Sequence, residues 1–568
     1  MTGPGTHTFN VPTGQASGMP WHLSLDYDSY ETAREEFAWD IPEDYNAARD
    51  FLRKHDDSTA PALYQAYPDG RRKEYSFADL DRLSNQLAHA LEDLGVDRGD
   101  RVAIVLSQKP ANPLVHLACW KLGAVSLPLS VLFGPDALQY RLEDSGATVL
   151  VADGDVLETV DEVRGDCPDL DHVVTVDAEV EGRTDVMDFD ALVEAYPSQR
   201  EIADTTHETP GLIIYTSGST GPPKGVLHGQ GVWLGHCPAF YMYFERDVFD
   251  STFWTPADWA WIGALGDLVF PAWHYGRPVV GYPMGGFDEE TAFEIMAEYG
   301  VTDTFLPPTA IRMLMTVDDP AETYDLSLKA VCSGGEPLTP EILDWADEAL
   351  SGVVVNELYG QTEANLLVCN CRDWFPAQAG SMGKPVPGHE VAVVDGDNGE
   401  TRPTGEVGSI AVRRDDDPVI FQEYWNKPEK TAAATVGDWH LTGDLGRRDE
   451  DGYLWFKARD DDLIMTAGYR VGPGEVESAI LEHPDVEQVG VVGVPDETRG
   501  EIIKAHVQPV AGVTGDDDLR AAIQDLVRDR LAQYEYPREI EFVADLPQTT
   551  TGKIQRRKLR EGGTDDAP

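Results

Sequence analysis

The stretch Tyr215-Thr-Ser-Gly-Ser-Thr-Gly-Pro-Pro-Lys-Gly225 gathers the residues of this chain best suited to hold an anion. Glycines 218, 221 and 225 permit positive φ and let the backbone come close to a ligand. The hydroxyls of Thr216, Ser217, Ser219 and Thr220, with the bared amides, are donors, and Lys224 adds one compact positive charge. A donor-rich concavity of this kind suits phosphate oxygens. The apolar run Leu212-Ile213-Ile214 predicts a strand that delivers the loop. The Walker pattern is not met, because two prolines precede Lys224 and Gly225 follows it.

Further groups of the same kind follow in order. Gly334-Gly335-Glu336-Pro337 lies just after a predicted strand, and Glu357-Leu-Tyr359-Gly360-Gln361-Thr362-Glu363 lies at the exit of another. An aromatic beside a carboxylate at such an exit suits a metal-bound nucleotide. Thr442-Gly-Asp444, Arg459-Asp-Asp461 and Ala467-Gly468-Tyr469-Arg470 come next. Taken alone, an Asp after Gly is a turn residue, and the acidic run at 460–462 is a solvated loop. Five basic residues among the eight from Lys553 to Arg560 close the series, on a chain otherwise poor in positive charge.

These motifs, in this order, resemble the signatures of the acyl-adenylate-forming enzymes, a superfamily of acyl-CoA synthetases, luciferases and peptide-synthetase adenylation domains. The resemblance covers roughly residues 30–560. It implies that residues 216–221 and Lys224 hold ATP phosphates, and that Gly335, Glu336, Pro337 and Glu357 belong to the ATP site. It implies that Tyr359 stacks on adenine beside Gly360 and Gln361, that Thr362 touches the α-phosphate, and that Glu363 holds Mg²⁺. Asp444 and Arg459 would reach the ribose, Arg470 a phosphate, and Lys553 would bridge the acid and the α-phosphate as a catalytic group. Asp461 matches the hinge of the C-terminal domain. Ala467, Gly468 and Tyr469 would line the coenzyme A path, with Arg528, Arg556 and Arg557 as candidates for its phosphates.

The same resemblance points to an acyl pocket. Trp261, Ile262 and Gly263 resemble the pocket wall of acetyl- and medium-chain acyl-CoA synthetases. Acetate-specific members carry Trp, Val and Thr where this chain has Gly360, Gly334 and Gly263. All three changes remove volume, so the expected acid is longer than propionate: medium-chain, branched or aromatic. A short-chain CoA ligase and a stand-alone enzyme loading a carrier protein are the alternatives. Outside this class stands a non-enzymatic acidic binding protein, from which acid-dependent ATP–pyrophosphate exchange separates an enzyme.

Composition narrows the partners. The chain of 568 residues carries 101 acidic and 44 basic side chains, a net of −57, and its basic groups are 13 lysines against 31 arginines. A polyanion does not suit nucleic acid or an anionic membrane. Self-repulsion on this scale, which salt screens, points to a halophile-type protein of a salty cytoplasm. The 13 Trp, 21 Tyr and 18 Phe exclude an acidic disordered chain. No signal peptide or membrane-spanning run is visible. Six scattered cysteines, with Cys369-x-Cys371 the only close pair, read as reduced thiols and not as a zinc site.

Strand and helix patterns alternate from Ser76 onward, with Ser76 itself as a helix N-cap. From residue 210 predicted strands begin at Leu212, Pro278, Thr302, Ala330 and Val353, and helices at Glu289, Thr309 and Pro340. Interleaving of this kind implies parallel sheets with right-handed crossovers. Residues 187–208 read as a polar connector and 385–457 as a small barrel or sheet. The expected fold is α/β: an N-terminal adenylation domain over 1–460, with two doubly wound sheets plus a small β-barrel, and an α+β lid over 461–568.

Overall fold

The computed structural model describes residues 23 and 25–560, apart from 179, 217–221, 336–337, 339, 416, 467–468, 497–498, 532–534 and 549–553. At 461, 465, 469, 470, 475, 500 and 529 only the backbone is described. The chain forms two compact units. One runs over 1–218, 222–391 and 412–438; the other holds 219–221, 392–411 and 439–568.

The first unit is built on two sheets. In the eight-stranded sheet, Arg101–Val105 lies parallel to both Val125–Pro128 and Val149–Asp153. Pro210–Thr216 adds to Val125–Pro128 and turns back antiparallel into Lys224–Gly229. The nine-stranded sheet has a parallel centre in which Asp303–Phe305, Ala330–Gly334 and Val354–Gln361 are neighbours. Asn365–Cys369 returns antiparallel against the last of these. Strands buried on both faces read as continuous Val/Ile/Leu runs, which is why they are legible in the sequence.

Helix Phe77–Asp93 starts at Ser76, whose side chain accepts from the Asp79 N–H while Asp79 answers to the Ser76 backbone. This capping box fixes the entry to the first long helix. Two further helices, Ala111–Leu122 and Val232–Tyr243, are buried along their whole length. Residues 187–208 are not merely a connector: Met187–Asp188 pairs with the sheet and Phe189–Glu194 is a short helix capped by Asp188.

The second unit holds a small antiparallel sheet and an α+β subdomain. The small sheet is built on the hairpin Trp439–Arg448 and Leu454–Arg459. Gly408–Arg413 also pairs with Trp439–Arg448, and Val391–Val394 with Gly408–Arg413. In the subdomain, Gly500–Pro509 runs between Val486–Asp496 and the parallel strand Glu539–Phe542. Helices Pro473–Leu481 and Asp517–Arg530 pack onto a core of Ile464, Val476, Val491, Ile503 and Ile523. All six cysteines are buried free thiols. No described helix is long and apolar enough to cross a membrane.

Candidate active site

The loop of the opening motif joins Pro210–Thr216 to Lys224–Gly229, with Thr216 directly opposite Lys224. Ser217, Gly218, Ser219, Thr220 and Gly221 lie outside the described residues. At the loop's near end the Thr216 Oγ1 is buried with no hydrogen-bond partner among the described residues. A buried hydroxyl left unmatched is costly, so a ligand oxygen is a fitting partner. The stem is braced from the side: Tyr215 OH donates to Asp144 at 2.7 Å, and Lys427 Nζ reaches the same carboxylate at 2.7 Å. The Lys224 ammonium lies over the ring of Tyr424, 4.0 Å from its centroid.

A tight hairpin carries the next group. Gln361 pairs with Asn365, the Ala364 N–H closes the turn on the Gln361 carbonyl, and Asn365 takes a left-handed φ of 59°. Thr362 and Glu363 thereby sit at the turn. Glu363 is buried, and its Oε1 accepts from Tyr424 OH at 2.7 Å. Earlier on the same strand, burial pushes the Glu357 carboxyl up to about 8, opposed only by a long 3.4 Å N–H from Leu338. Gly335 has φ of 91° with open space around it; Glu336 and Pro337 lie outside the described residues.

In the second unit, Asp444 and Arg459 face each other across one hairpin, with Nε and Oδ1 3.9 Å apart. Gly443 in the left-handed region (φ 74°) makes the Thr-Gly-Asp turn, and the Asp444 N–H donates to Thr442 Oγ1. Asp461 lies in a 3₁₀ turn at 460–462. Tyr469 and Arg470 lie on a strand paired with Ile464–Thr466, while Ala467, Gly468 and Lys553 lie outside the described residues.

Two expectations need correction. A Cβ on Gly360 would meet the Asn365 carbonyl oxygen at 2.0 Å, and one on Gly334 would meet Leu358 Cδ1 at 2.3 Å. Gly360 therefore marks close packing at the hairpin bulge, and Gly334 close packing against the neighbouring parallel strand, not emptied pocket volume. Of the three positions only Gly263 faces room, with Asp267 Oδ2 and Phe305 at 3.4 and 3.6 Å from a Cβ built there. The second correction is Arg556. It makes two bonds to Glu477 (3.1 and 2.6 Å) and one to Asp462 (3.3 Å), with Arg560 on the same Asp462. Burial disfavours its charge, but the two carboxylates outweigh that and raise its pKa. An arginine so matched is an anchor of its subdomain, not a receptor for a coenzyme phosphate. Arg528 pairs with Asp525 on its own exposed helix face, and Arg557 begins the second position of helix Arg556–Arg560.

Sequence reasoning missed three groups. Tyr424 is one. His228, on the strand leaving the loop, is fully buried, and burial pushes its imidazole down to about 3. His236 lies 3.1 Å from Asp267, inside the π-turn Leu265–Val269 that follows Trp261, Ile262 and Gly263. Histidines in apolar runs read as core; only their recurrence around one loop and one wall could have marked them.

An unmatched hydroxyl on Thr216, the Lys224 cation and the buried Glu363 carboxylate thus stand at or beside these strand ends, groups chemically suited to a metal-bound phosphate ligand. Comparison with known proteins agrees. The AMP-binding enzyme family matches residues 50–425, and the AMP-binding enzyme C-terminal domain matches 475–553. The chain belongs to the AMP-binding enzyme family. It is 36% identical over 540 residues to acyl-coenzyme A synthetase ACSM4 of Rattus norvegicus, covering 92% of this chain and 91% of that one. Acetyl-coenzyme A synthetase of Bacillus subtilis is 37% identical over 527 residues, covering 91% and 90%. Among solved structures, the anthranilate CoA ligase AuaEII in complex with anthranoyl-AMP superposes with TM-score 0.82 at 29% identity, covering 92% and 98%. This chain is accordingly an AMP-forming acid–thiol ligase, with ATP, Mg²⁺ and coenzyme A as its small-molecule partners.

Proposed function

We propose that this enzyme joins a medium-chain, branched or aromatic carboxylic acid to coenzyme A. The acid attacks the α-phosphate of ATP, releasing pyrophosphate, and the thiol then displaces AMP from the acyl-adenylate. The observation that carries the site assignment is the run Lys224–Tyr424–Glu363, a cation and a carboxylate held by one ring at the foot of the phosphate loop. Among the described residues no three His, Cys, Asp or Glu side chains cluster as a metal cage. A single carboxylate with substrate phosphates is the usual setting for Mg²⁺, so Glu363 fits that ion. When bound, Mg²⁺ offsets negative charge on the phosphates.

The chain's own groups do the rest. Thr216 and Lys224 hold phosphate oxygens, and Thr362 contacts the α-phosphate. Tyr359 stacks on adenine, with Gly335, Glu336, Pro337, Glu357, Gly360 and Gln361 around it, and Asp444 and Arg459 take the ribose. Lys553 neutralises charge on the five-coordinate phosphorus. Residues 1–460 act as the adenylation domain and 461–568 as the lid, with Asp461 as pivot. Arg470 meets a phosphate, and Ala467, Gly468 and Tyr469 serve the thiol step. Arg528 and Arg557 remain the candidates for the coenzyme phosphates.

Trp261, Ile262 and Gly263 support the acid preference, because a glycine there leaves room beside Phe305. A structural relative bearing anthranoyl-AMP lends weight to an aromatic acid. The acidic composition supports a salt-rich cytoplasm as the enzyme's setting. The test is acid-dependent ATP–pyrophosphate exchange, then coenzyme A-dependent AMP release, over C2 to C10 and aromatic acids in molar KCl. Exchange without release on adding coenzyme A would favour a carrier-loading enzyme, and a preference for acetate would overturn the acid assignment.

A further inference from the structure

Tyr424 touches both charged groups that the proposed function places on ATP. Its ring supports the Lys224 ammonium at 4.0 Å, and its hydroxyl donates to Glu363 Oε1 at 2.7 Å in a buried setting. The backbone places the tyrosine without recourse to either charged side chain. Glu423–Tyr424 is a two-residue strand paired with Lys224–Gly229, Tyr424 lying opposite Val226. The Tyr424 N–H donates to Thr431 Oγ1 at 2.9 Å. Three residues earlier, the Phe421 N–H donates to the Glu363 carbonyl at 3.0 Å. One short segment thus grips Glu363 by main chain and by side chain, while adding an edge strand to the stem of the phosphate loop.

A carboxylate free to rotate presents its oxygens in many directions, and ordering it on binding costs side-chain entropy. With one oxygen locked by a short bond to a buried phenol, the other is aimed before any ligand arrives. Groups that orient a metal-holding side chain in this way are worth about 10–100-fold in metal affinity. We propose that Tyr424 is a positioning residue, which aims the Glu363 carboxylate at the divalent cation of the nucleotide complex. The inference rests on the reading of Glu363 as the metal-holding group. Tyr424 itself makes no contact with the cation; it acts through Glu363, and its ring face steadies Lys224 at the phosphates.

The experiment uses the full chain with Tyr424→Phe, which keeps the ring and removes only the hydroxyl. Mn²⁺ binding in the presence of a non-hydrolysable ATP analogue, followed by electron paramagnetic resonance, should weaken about tenfold or more. Binding of the analogue without divalent ion should stay within about twofold of wild type. In ATP–pyrophosphate exchange, half-saturating Mg²⁺ should rise by a like factor, with most of kcat regained at saturating metal. Equal weakening of analogue binding with and without metal would show a merely structural role and overturn the inference. Glu363→Gln is the companion variant. If it too binds Mn²⁺ as wild type does, the reading of Glu363 fails and takes the inference with it. If Glu363→Gln weakens the metal and Tyr424→Phe does not, the reading of Glu363 stands and only the role of Tyr424 is overturned.

Discussion

Of the three glycines first expected in an acyl wall, only Gly263 is placed where a methyl group finds ordinary contact distances. It lies in the short helical turn Ile262–Ala264, where alanine is also the better helix former. Gly263→Ala should therefore fold normally and narrow the pocket beside Phe305. One methyl group more or less in an apolar pocket is worth about 10-fold or more in kcat/KM. Longer and aromatic acids should lose that factor, short acids should lose little, and KM for ATP should hold. An unchanged acid profile would remove Gly263 from the wall. Glu357 gives a pH signature. Its folded pKa of about 8 lies above the unfolded carboxylate value of about 4.3. Between those values the folded chain keeps a proton that the unfolded chain has released, so stability falls as pH rises. The loss should reach about 1.4 kcal/mol per pH unit and level off above the folded value. Measured against Glu357→Gln, which has no such proton, wild-type stability should decline from about pH 5 to 8 and run parallel above it. Parallel curves throughout would mean that Glu357 is ionised in the folded enzyme.

Individual elements differ in how far the sequence discloses them. Ser76 and Asp79 are three apart ahead of a leucine stripe, and the helix starts where that pattern says. The parallel strands announce themselves because both their faces are buried. Ala111–Leu122 and Val232–Tyr243 do not, because a helix buried all round has no polar face and hence no period. The strand Pro210–Thr216 ahead of the Gly/Ser/Thr run was legible from its apolar residues, whereas the tight turn between Gln361 and Asn365 was not. Nor was Tyr424, 61 residues from Glu363: they meet only because the fold lays the edge strand Glu423–Tyr424, on the eight-stranded sheet, beside the turn that ends a strand of the nine-stranded one. Arg556 misled for a related reason. Its neighbours in sequence are basic, whereas its neighbours in space are Glu477 and Asp462, on helix Pro473–Leu481 and the turn at 460–462. This ion cluster ties the start of helix Arg556–Arg560 to the turn that holds Asp461. Removing one partner of a largely buried pair strands the others. Arg556→Met should cost about 3 kcal/mol of stability and leave KM for coenzyme A nearly unchanged. Arg557→Met should leave stability intact. A raised KM for coenzyme A in Arg556→Met without a lower melting temperature would restore the phosphate role to Arg556.

At the scale of the whole molecule two electrostatic effects respond oppositely to salt. The net charge of −57 is a sum over the entire surface, and its self-repulsion acts over long distances, so screening removes it first. The Debye length falls from about 10 Å at 0.1 M salt to about 3 Å at 1 M. Close pairs survive better. Arg72 holds Glu298 through two bonds of 2.8 and 2.9 Å, and Arg183 holds Asp161 through two of 2.8 and 2.7 Å. The preference for arginine over lysine favours two-pronged contacts of this kind. Some acids in the runs also have work within the fold: Asp516 caps helix Asp517–Arg530, and Asp517 and Asp518 lie in its first turn, where negative charge is favourable. Screening therefore relieves more repulsion than the attraction it weakens. The melting temperature and kcat should climb between about 0.1 and 2 M KCl, most steeply below about 1 M, where the Debye length is changing fastest. On the proposed assignment the active site obeys the reverse rule, because ATP and coenzyme A are anions that Lys224 and the basic groups near the C-terminus would attract. Their KM values should rise over the same range, so kcat/KM for ATP should pass through a maximum instead of following stability upward. Melting curves and initial rates across one KCl series test both halves together. A melting temperature that stays flat from dilute buffer to molar salt would mean that this surface does not depend on screening, and the salt-adapted reading of the composition would fall.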